Sequence, residues 1–241
     1  MATILHIDGV TKSFGRFIVV KDITVKLEQG EALGVIGPNG AGKTTLFNLI
    51  TGLCRPTAGR IYLHGVDVTD LPPSERCRAG IGRTFQIPHP FGGMTVFENT
   101  LVGAAFGRGH RERDCHERCV AILERVGLLD QANALAGSLR LLDRKRLELA
   151  RAMASEPGLL LLDEIAGGLT EHETGELIDI IKELRAGGAT IIWIEHVVHA
   201  LLRVVDRLIT MNFGTLLSEG DPATVMASPE VRKIYMGIAA L

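Results

Sequence analysis

The chain has 241 residues, 46% hydrophobic and 22% charged, with 26 Lys and Arg against 28 Asp and Glu for a formal net charge of −2. This is the composition of a globular protein with a sizeable core, and its near-neutral balance argues against a nucleic-acid-binding surface as the main business. Apolar runs such as Leu159 to Leu162 are too short to span a bilayer, and Met1 to His6 lacks a basic region followed by an apolar signal core, so a cytosolic protein is expected.

Ile4 to Val10, Phe17 to Val20 and Ile23 to Leu27 are β-branched runs broken by glycine and charged residues, and they read as antiparallel strands. Phe14 falls in the first connection among Thr11, Lys12, Ser13 and Arg16, polar enough for exposure; its ring either stacks on a base or simply packs. Ala32 to Ile36 is an apolar strand, followed by Gly37-Pro38-Asn39-Gly40-Ala41-Gly42-Lys43-Thr44. Glycines are needed where backbone N–H groups crowd around phosphate oxygens, because a Cβ would hold the anion away. Lys43 supplies a point charge for the β and γ phosphates, Thr44 a hydroxyl for Mg²⁺, and the helix starting there its positive end. A ligand-free glycine-rich turn is the competing reading; the strand before and the helical pattern of Leu46, Leu49 and Ile50 after it favour a phosphate cradle. Lys43 to Gly52 reads as a helix closed by glycine, Arg60 to Leu63 as a strand, and Pro72-Pro73-Ser74-Glu75 as the start of a short helix.

Gly82 to Gln86 ends a strand and runs into Ile87 to Gly93, whose prolines and glycines exclude helix and central strand and leave a loop. Thr95 to Phe106 and Asp114 to Val126 carry helical periodicity, joined by the basic stretch Gly107 to Arg113, most simply a solvated connector. Gln86 to Leu139 is therefore expected to be a helical insertion. Cys54, Cys77, Cys115 and Cys119 are scattered, and reduced thiols are the expectation; Cys115 and Cys119, near His110 and His116, lack a second ligand pair at zinc-site spacing.

Leu159 to Leu162 has the length of a fully buried parallel strand and ends in Asp163 and Glu164, and acids at the C-terminal end of such a strand mark a site. Asp163 is placed to hold Mg²⁺ through water and Glu164, pointing elsewhere, to polarise an attacking water; two acids opening a surface loop is the plainer alternative. Glu171 to Arg185 is an amphipathic helix whose stripe of Leu177, Ile178, Ile180, Ile181 and Leu184 packs on the sheet. Thr190 to Glu195 is a second buried strand, delivering His196 to the same edge as a polar switch, against the usual structural histidine. Arg207 to Met211 and Thr215 to Glu219 form a hairpin around Asn212-Phe213-Gly214, and Asp221 to Leu241 reads as helical.

The cradle, Gln86, the Asp163-Glu164 pair and His196 occur in the order and spacing of ABC-transporter ATP-binding subunits, which the chain resembles over nearly its whole length. More narrowly, Gly37 to Leu46, Arg83 to Gln86, Met94-Thr95-Val96 with Glu98-Asn99, Ile194-Glu195-His196 and Pro229 to Gly237 look like the branched-chain amino-acid uptake subgroup. The resemblance implies an α/β P-loop NTPase core (1–85 and 140–220) with an N-terminal antiparallel β subdomain, an inserted helical subdomain (86–139) and a helical tail (221–241). It implies that Phe14 stacks on adenine, Gly37 to Thr45 bind the phosphates of ATP with Thr45 on an inner phosphate, and Thr44, Gln86 and Asp163 meet Mg²⁺. Glu164 then activates water and His196 senses the γ-phosphate. It further implies a peripheral subunit on the inner face of the cell membrane, closing head to tail with a second ATP-binding subunit on two ATPs. Ile87 to Phe97 would push on membrane permeases served by a solute-binding protein.

One motif departs from the family. Members carry LSGGQ or LSYGQ before a basic helix, and aligning Lys145 to Arg151 places Leu139-Arg140-Leu141-Leu142-Asp143 there. In the family this helix start donates a serine hydroxyl and backbone N–H groups to the γ-phosphate held by the other subunit. Leu141 and Leu142 are expected to obstruct that approach and Asp143 to add negative charge, and losing one such donor typically costs about 3 kcal/mol in the transition state. Arg140 is the one residue here with the chemistry to reach a phosphate itself, a surface arginine being the plainer reading. Ile165 stands where proline is usual, and Thr170 where Asp or Asn is usual. The expectation is weak ATPase from the chain alone or as a homodimer, and a heterodimer with an intact-signature partner.

Overall fold

The computed structural model describes residues 2–236, so the end of the expected helical tail, 237–241, lies outside the described residues. The chain opens with β1 (Thr3–Phe14) and β2 (Phe17–Glu28), which pair antiparallel around a two-residue turn and are joined on the other side of β1 by β4 (Ala58–Leu63) and β5 (Val66–Asp67). Two expectations are corrected here. The runs at 17–20 and 23–27 are one strand, because a register shift and a left-handed Asp22 (φ 50°), its N–H bonded to Thr11 Oγ1, absorb the charged break without ending the pairing. Phe14 is the last residue of β1, opposite Phe17, rather than part of a connection.

The second sheet has the order β10-β9-β3-β8-β7-β6, formed by β3 (Ala32–Ile36), β6 (Ile81–Arg83), β7 (Leu159–Asp163), β8 (Thr190–Ile194), β9 (Arg207–Asn212) and β10 (Thr215–Gly220). All neighbours run parallel except the β9–β10 hairpin. Every residue of β3, β7 and β8 is buried, as strands covered on both faces require. Strand alternation then sorts their side chains into two cores. Leu33, Val35, Leu161 and Ile192 face the antiparallel sheet and α1 (Lys43–Ile50), while Ala32, Leu160, Leu162 and Trp193 face the helical side.

Between β6 and β7 lie α3 (Val96–Gly107), α4 (His116–Arg125) and α5 (Leu141–Ala154); the short α2 (Pro73–Arg78) precedes them, as its prolines predict. Thr95 caps α3 in a capping box with Glu98. The inserted helices share one core with α5 and with α6 (Glu171–Ala186), whose Leu177, Ile178, Ile181 and Leu184 are buried as the stripe predicts. Then follow α7 (Val198–Leu202), α8 (Pro222–Ala227) and α9 (Pro229–Met236). Among the described residues no helix is long and apolar enough to cross a membrane. The four cysteines are free thiols, and among the described residues no three His, Cys, Asp or Glu side chains gather into a metal cage.

Candidate nucleotide site

The loop from β3 to α1 is shaped first by its neighbours. A Cβ on Gly37 would stand 2.3 Å from the Met211 carbonyl oxygen, and one on Gly42, left-handed at φ 99°, would stand 2.6 Å from that of Val19. No side chain caps α1 and no acid occupies its first turn, so its leading N–H groups and positive end are open to an anion. Lys43 Nζ folds back over the loop, donating to Gly37 O at 2.7 Å and Pro38 O at 3.1 Å. Burial pushes the pKa of this ammonium down, against the pull of Glu164 and Asp163. Asn39, Lys43, Thr44, Thr45, Gln86 and Glu164 line a cavity of about 270 Å³ beside it.

Glu164 sits at the hub. One carboxylate oxygen accepts from Gln86 Nε2 at 2.5 Å, and the other lies 2.8 Å from His196 Nε2. The parallel order β3-β8-β7 brings this about, because the cradle, His196 and Glu164 all follow the C-terminal ends of neighbouring strands. Glu164 is also left-handed, at φ 45°, a conformation uncommon for a non-glycine residue.

Asp163 stands apart. Its carboxylate is almost fully buried against Arg83 Nη2 at 2.7 Å, and it does not line the cavity. Arg83 in turn donates to Asn48 Oδ1 at 2.7 Å and lies over the rings of Phe47 and Phe85. Of the three residues expected to meet Mg²⁺, Thr44 and Gln86 thus share the cavity, while Asp163 is not brought into it. With Gln86 Nε2 bonded to Glu164, its amide oxygen remains for a cation. Hydroxyl, amide and carboxylate oxygens are the hard donors that Mg²⁺ takes, so the set fits the ion. Phe14, half exposed with Lys12 Nζ 4.8 Å above its ring, lies at the hairpin tip outside the cavity lining.

Segment 139–143 folds as the start of α5, with Arg140 as an extended N-cap residue that makes no side-chain cap. Leu141 is exposed, packing towards Gly168, but Leu139 and Leu142 are buried in the core. The expected obstruction by Leu142 is therefore corrected: helix phase turns it inward with Lys145 and Leu149. Asp143 is likewise drawn back, 3.4 Å from Arg146. Thr170 caps α6 in a capping box with Glu173, work that Asp or Asn also does, and Ile165 is wholly buried.

Two further residues hold the site from within, a role the sequence motifs that contain them do not indicate. Lys145, 2% exposed, donates to the carbonyls of Gln86 and Glu164. Glu195, 1% exposed, accepts from the N–H groups of Ala166, His196 and Val197 and from Trp193 Nε1, while burial pushes its pKa up. Both lie in segments that carry the family resemblance, but the sign of their burial is a charged residue breaking an apolar face.

Strand, glycine loop and helix, with an acid and a histidine brought to the same edge by the adjoining parallel strands, place this chain among the P-loop nucleotide-binding proteins. The family model described as ABC transporter matches residues 20–167, and the chain belongs to that family as an ATP-binding subunit. It is 39% identical to the high-affinity branched-chain amino acid transport ATP-binding protein LivG of Salmonella typhimurium, and 38% identical to BraF of Pseudomonas aeruginosa, over 98% of each chain. Among solved structures, the ADP conformation of MJ1267, an ATP-binding cassette of an ABC transporter, is similar at a TM-score of 0.90 and 31% identity, covering 99% of this chain and 100% of that one. The α/β P-loop architecture expected from the sequence is thus borne out.

Proposed function

We propose that the chain is the ATP-hydrolysing subunit of an ABC importer for branched-chain amino acids or related small solutes, acting at the inner face of the cell membrane. The observation that carries this reading is the near-full-length similarity to LivG and BraF, whose names state that transport.

In this reading the cradle Gly37 to Thr45 grips the phosphates, Lys43 leaving its carbonyls for the β and γ oxygens, and Phe14 takes the adenine face. Thr44, Gln86 and, through water, Asp163 would hold Mg²⁺, which neutralises phosphate charge when bound. Glu164 orients the attacking water and draws off its proton, and His196 tethers that carboxylate from the γ-phosphate side. Gln86 opens the loop Ile87 to Phe97, where Ile87 and Phe91 are exposed, a surface suited to membrane permeases and, through them, to a solute-binding protein.

The dimer is asymmetric. A partner with an intact signature completes the site built on Lys43 and Glu164, where ATP is hydrolysed, while Leu139 to Asp143 serve the partner's nucleotide poorly and leave it held. Support comes from the exposed Leu141 and uncapped Arg140 at the start of α5. Polysaccharide-type export is the second reading, favoured by 36% identity to the lipopolysaccharide export system ATP-binding protein LptB of Acidithiobacillus ferridurans.

Uptake of labelled leucine, isoleucine and valine by cells deleted for this gene separates the two. Import predicts lost uptake, restored by the wild-type gene but not by Lys43→Ala. Unchanged uptake of all three contradicts it.

A further inference from the structure

Lys145 is a cation in a place where a cation is costly. On α5 it falls between Leu142 and Leu149 on the inward face, and its side chain is as buried as theirs. Burial lowers its pKa, and the carboxylates of Glu195, Glu164, Glu148 and Asp163 around it pull the other way, favouring the charged form. A methionine or leucine would fill this position with no desolvation cost, so the ammonium has to be explained by what it bonds.

Its partners are two main-chain carbonyls, Gln86 O at 2.6 Å and Glu164 O at 3.3 Å. The side chains of the same two residues meet on the cavity side, Gln86 Nε2 to Glu164 Oε2. Lys145, Gln86 and Glu164 thus close a ring of contacts, with backbone bonds on its inner side and the reactive side chains on its outer side. Within that ring Glu164 is held left-handed, its N–H donating to Ile194 O at 2.9 Å and its carbonyl accepting from Gly167 N at 3.2 Å as well as from Lys145. Of these anchors only Lys145 comes from α5, the helix whose first turn is the segment 139–143.

We propose that Lys145 is a positioning residue of the ATPase: its buried ammonium fixes the Gln86 and Glu164 carbonyls, and so the water-activating carboxylate, in register with the start of α5. The inference rests on the ATPase reading given above. It makes α5 a strut between two sites. Its first turn faces the partner's nucleotide, and four residues past Leu141 Lys145 holds the main-chain carbonyl of the residue whose carboxylate acts on this chain's own.

The test uses Lys145→Met, close in length and without charge, in the chain paired with an intact-signature ABC ATP-binding subunit. The expected result is a fall in kcat of about tenfold or more, with KM and the affinity for a fluorescent ATP analogue within about twofold of wild type, because Lys43 and the cradle are untouched. An unchanged kcat, or nucleotide affinity falling in step with kcat, would overturn the proposal. Lys145→Arg keeps charge and donors and covers the case in which Met does not fold: it is expected to hold kcat above about a third of wild type, and a value below about a tenth contradicts the role. Hydrogen–deuterium exchange on the purified chain decides the positioning separately. In Lys145→Met, faster exchange confined to 86–91 and 164–168 is expected, and unchanged exchange there overturns it. A wild-type pair that shows no turnover refutes the ATPase reading instead, and the exchange result still stands on its own.

Discussion

On the cradle side of the molecule, Gln86 and His196 each meet the Glu164 carboxylate, Asp163 is locked to Arg83, and Lys43 and Lys145 are each held by two carbonyls. At the start of α5 the opposite holds: Arg140 makes no cap, Leu141 projects as an exposed apolar side chain, and Asp143 turns back to Arg146. The two regions meet different nucleotides in the proposed dimer, one held by this chain and one by its partner. In that proposal one half-site is kept in working order while the other is not, and hydrolysis falls to the nucleotide held here.

The largest expected effect comes from removing the hub of the intact side. In the paired assembly, Glu164→Gln should lower kcat by roughly 10²- to 10⁴-fold while leaving ATP binding in place, measured by phosphate release and by a fluorescent nucleotide. Turnover that survives the change would reverse the assignment of the two sides. Next is Arg83→Leu, which strands the buried Asp163 carboxylate; the cost in stability should be about 3–5 kcal/mol, read from the denaturant midpoint. A shift under about 1 kcal/mol would mean that the pair does not hold the acid in place.

The other region is tested by repair. Arg140→Ser, Leu141→Gly, Leu142→Gly and Asp143→Gln together should raise homodimer turnover by about a hundredfold, the worth of one preorganised donor. Because Leu142 is a core residue, the milder pair Arg140→Ser with Leu141→Gly should gain activity without the loss of packing, and no gain from either set of changes breaks the comparison.

The smallest effect separates structural from functional departures. Thr170→Ala should cost about 1 kcal/mol by removing the cap of α6. The Thr170 N–H and, after it, the Thr170 hydroxyl that alanine would remove both hold the Glu173 carboxyl below the usual glutamate value. With its folded pKa depressed, that carboxylate stabilises the protein above the usual value and loses the effect as pH falls through the folded one. The gap between wild type and Thr170→Ala should accordingly narrow in acid, and a gap independent of pH would detach Glu173 from the cap.

Much of this was legible in the sequence because it depends on local pattern. Apolar runs mark the buried parallel strands, the glycine loop marks the cradle, and Glu164 and His196 after strand ends mark the pair that meets beside it. What escaped depends on partners far along the chain. Arg83 meets Asp163 across 80 positions and Lys145 meets Gln86 across 59, distances that no window of sequence spans. Phe14 was misplaced because β1 continues through a polar stretch, its pairing with β2 overriding local preference. Leu142 was misread by its motif, although Leu142, Lys145 and Leu149 already lie at the spacing of one buried helix face.

The measurement nearest to the central claim is ATP turnover of the purified chain, alone and paired with an ABC ATP-binding subunit that carries an intact LSGGQ or LSYGQ segment. The account predicts little turnover alone and brisk turnover in the pair, lost when Glu164 of this chain becomes glutamine. Brisk turnover by the chain alone would contradict it.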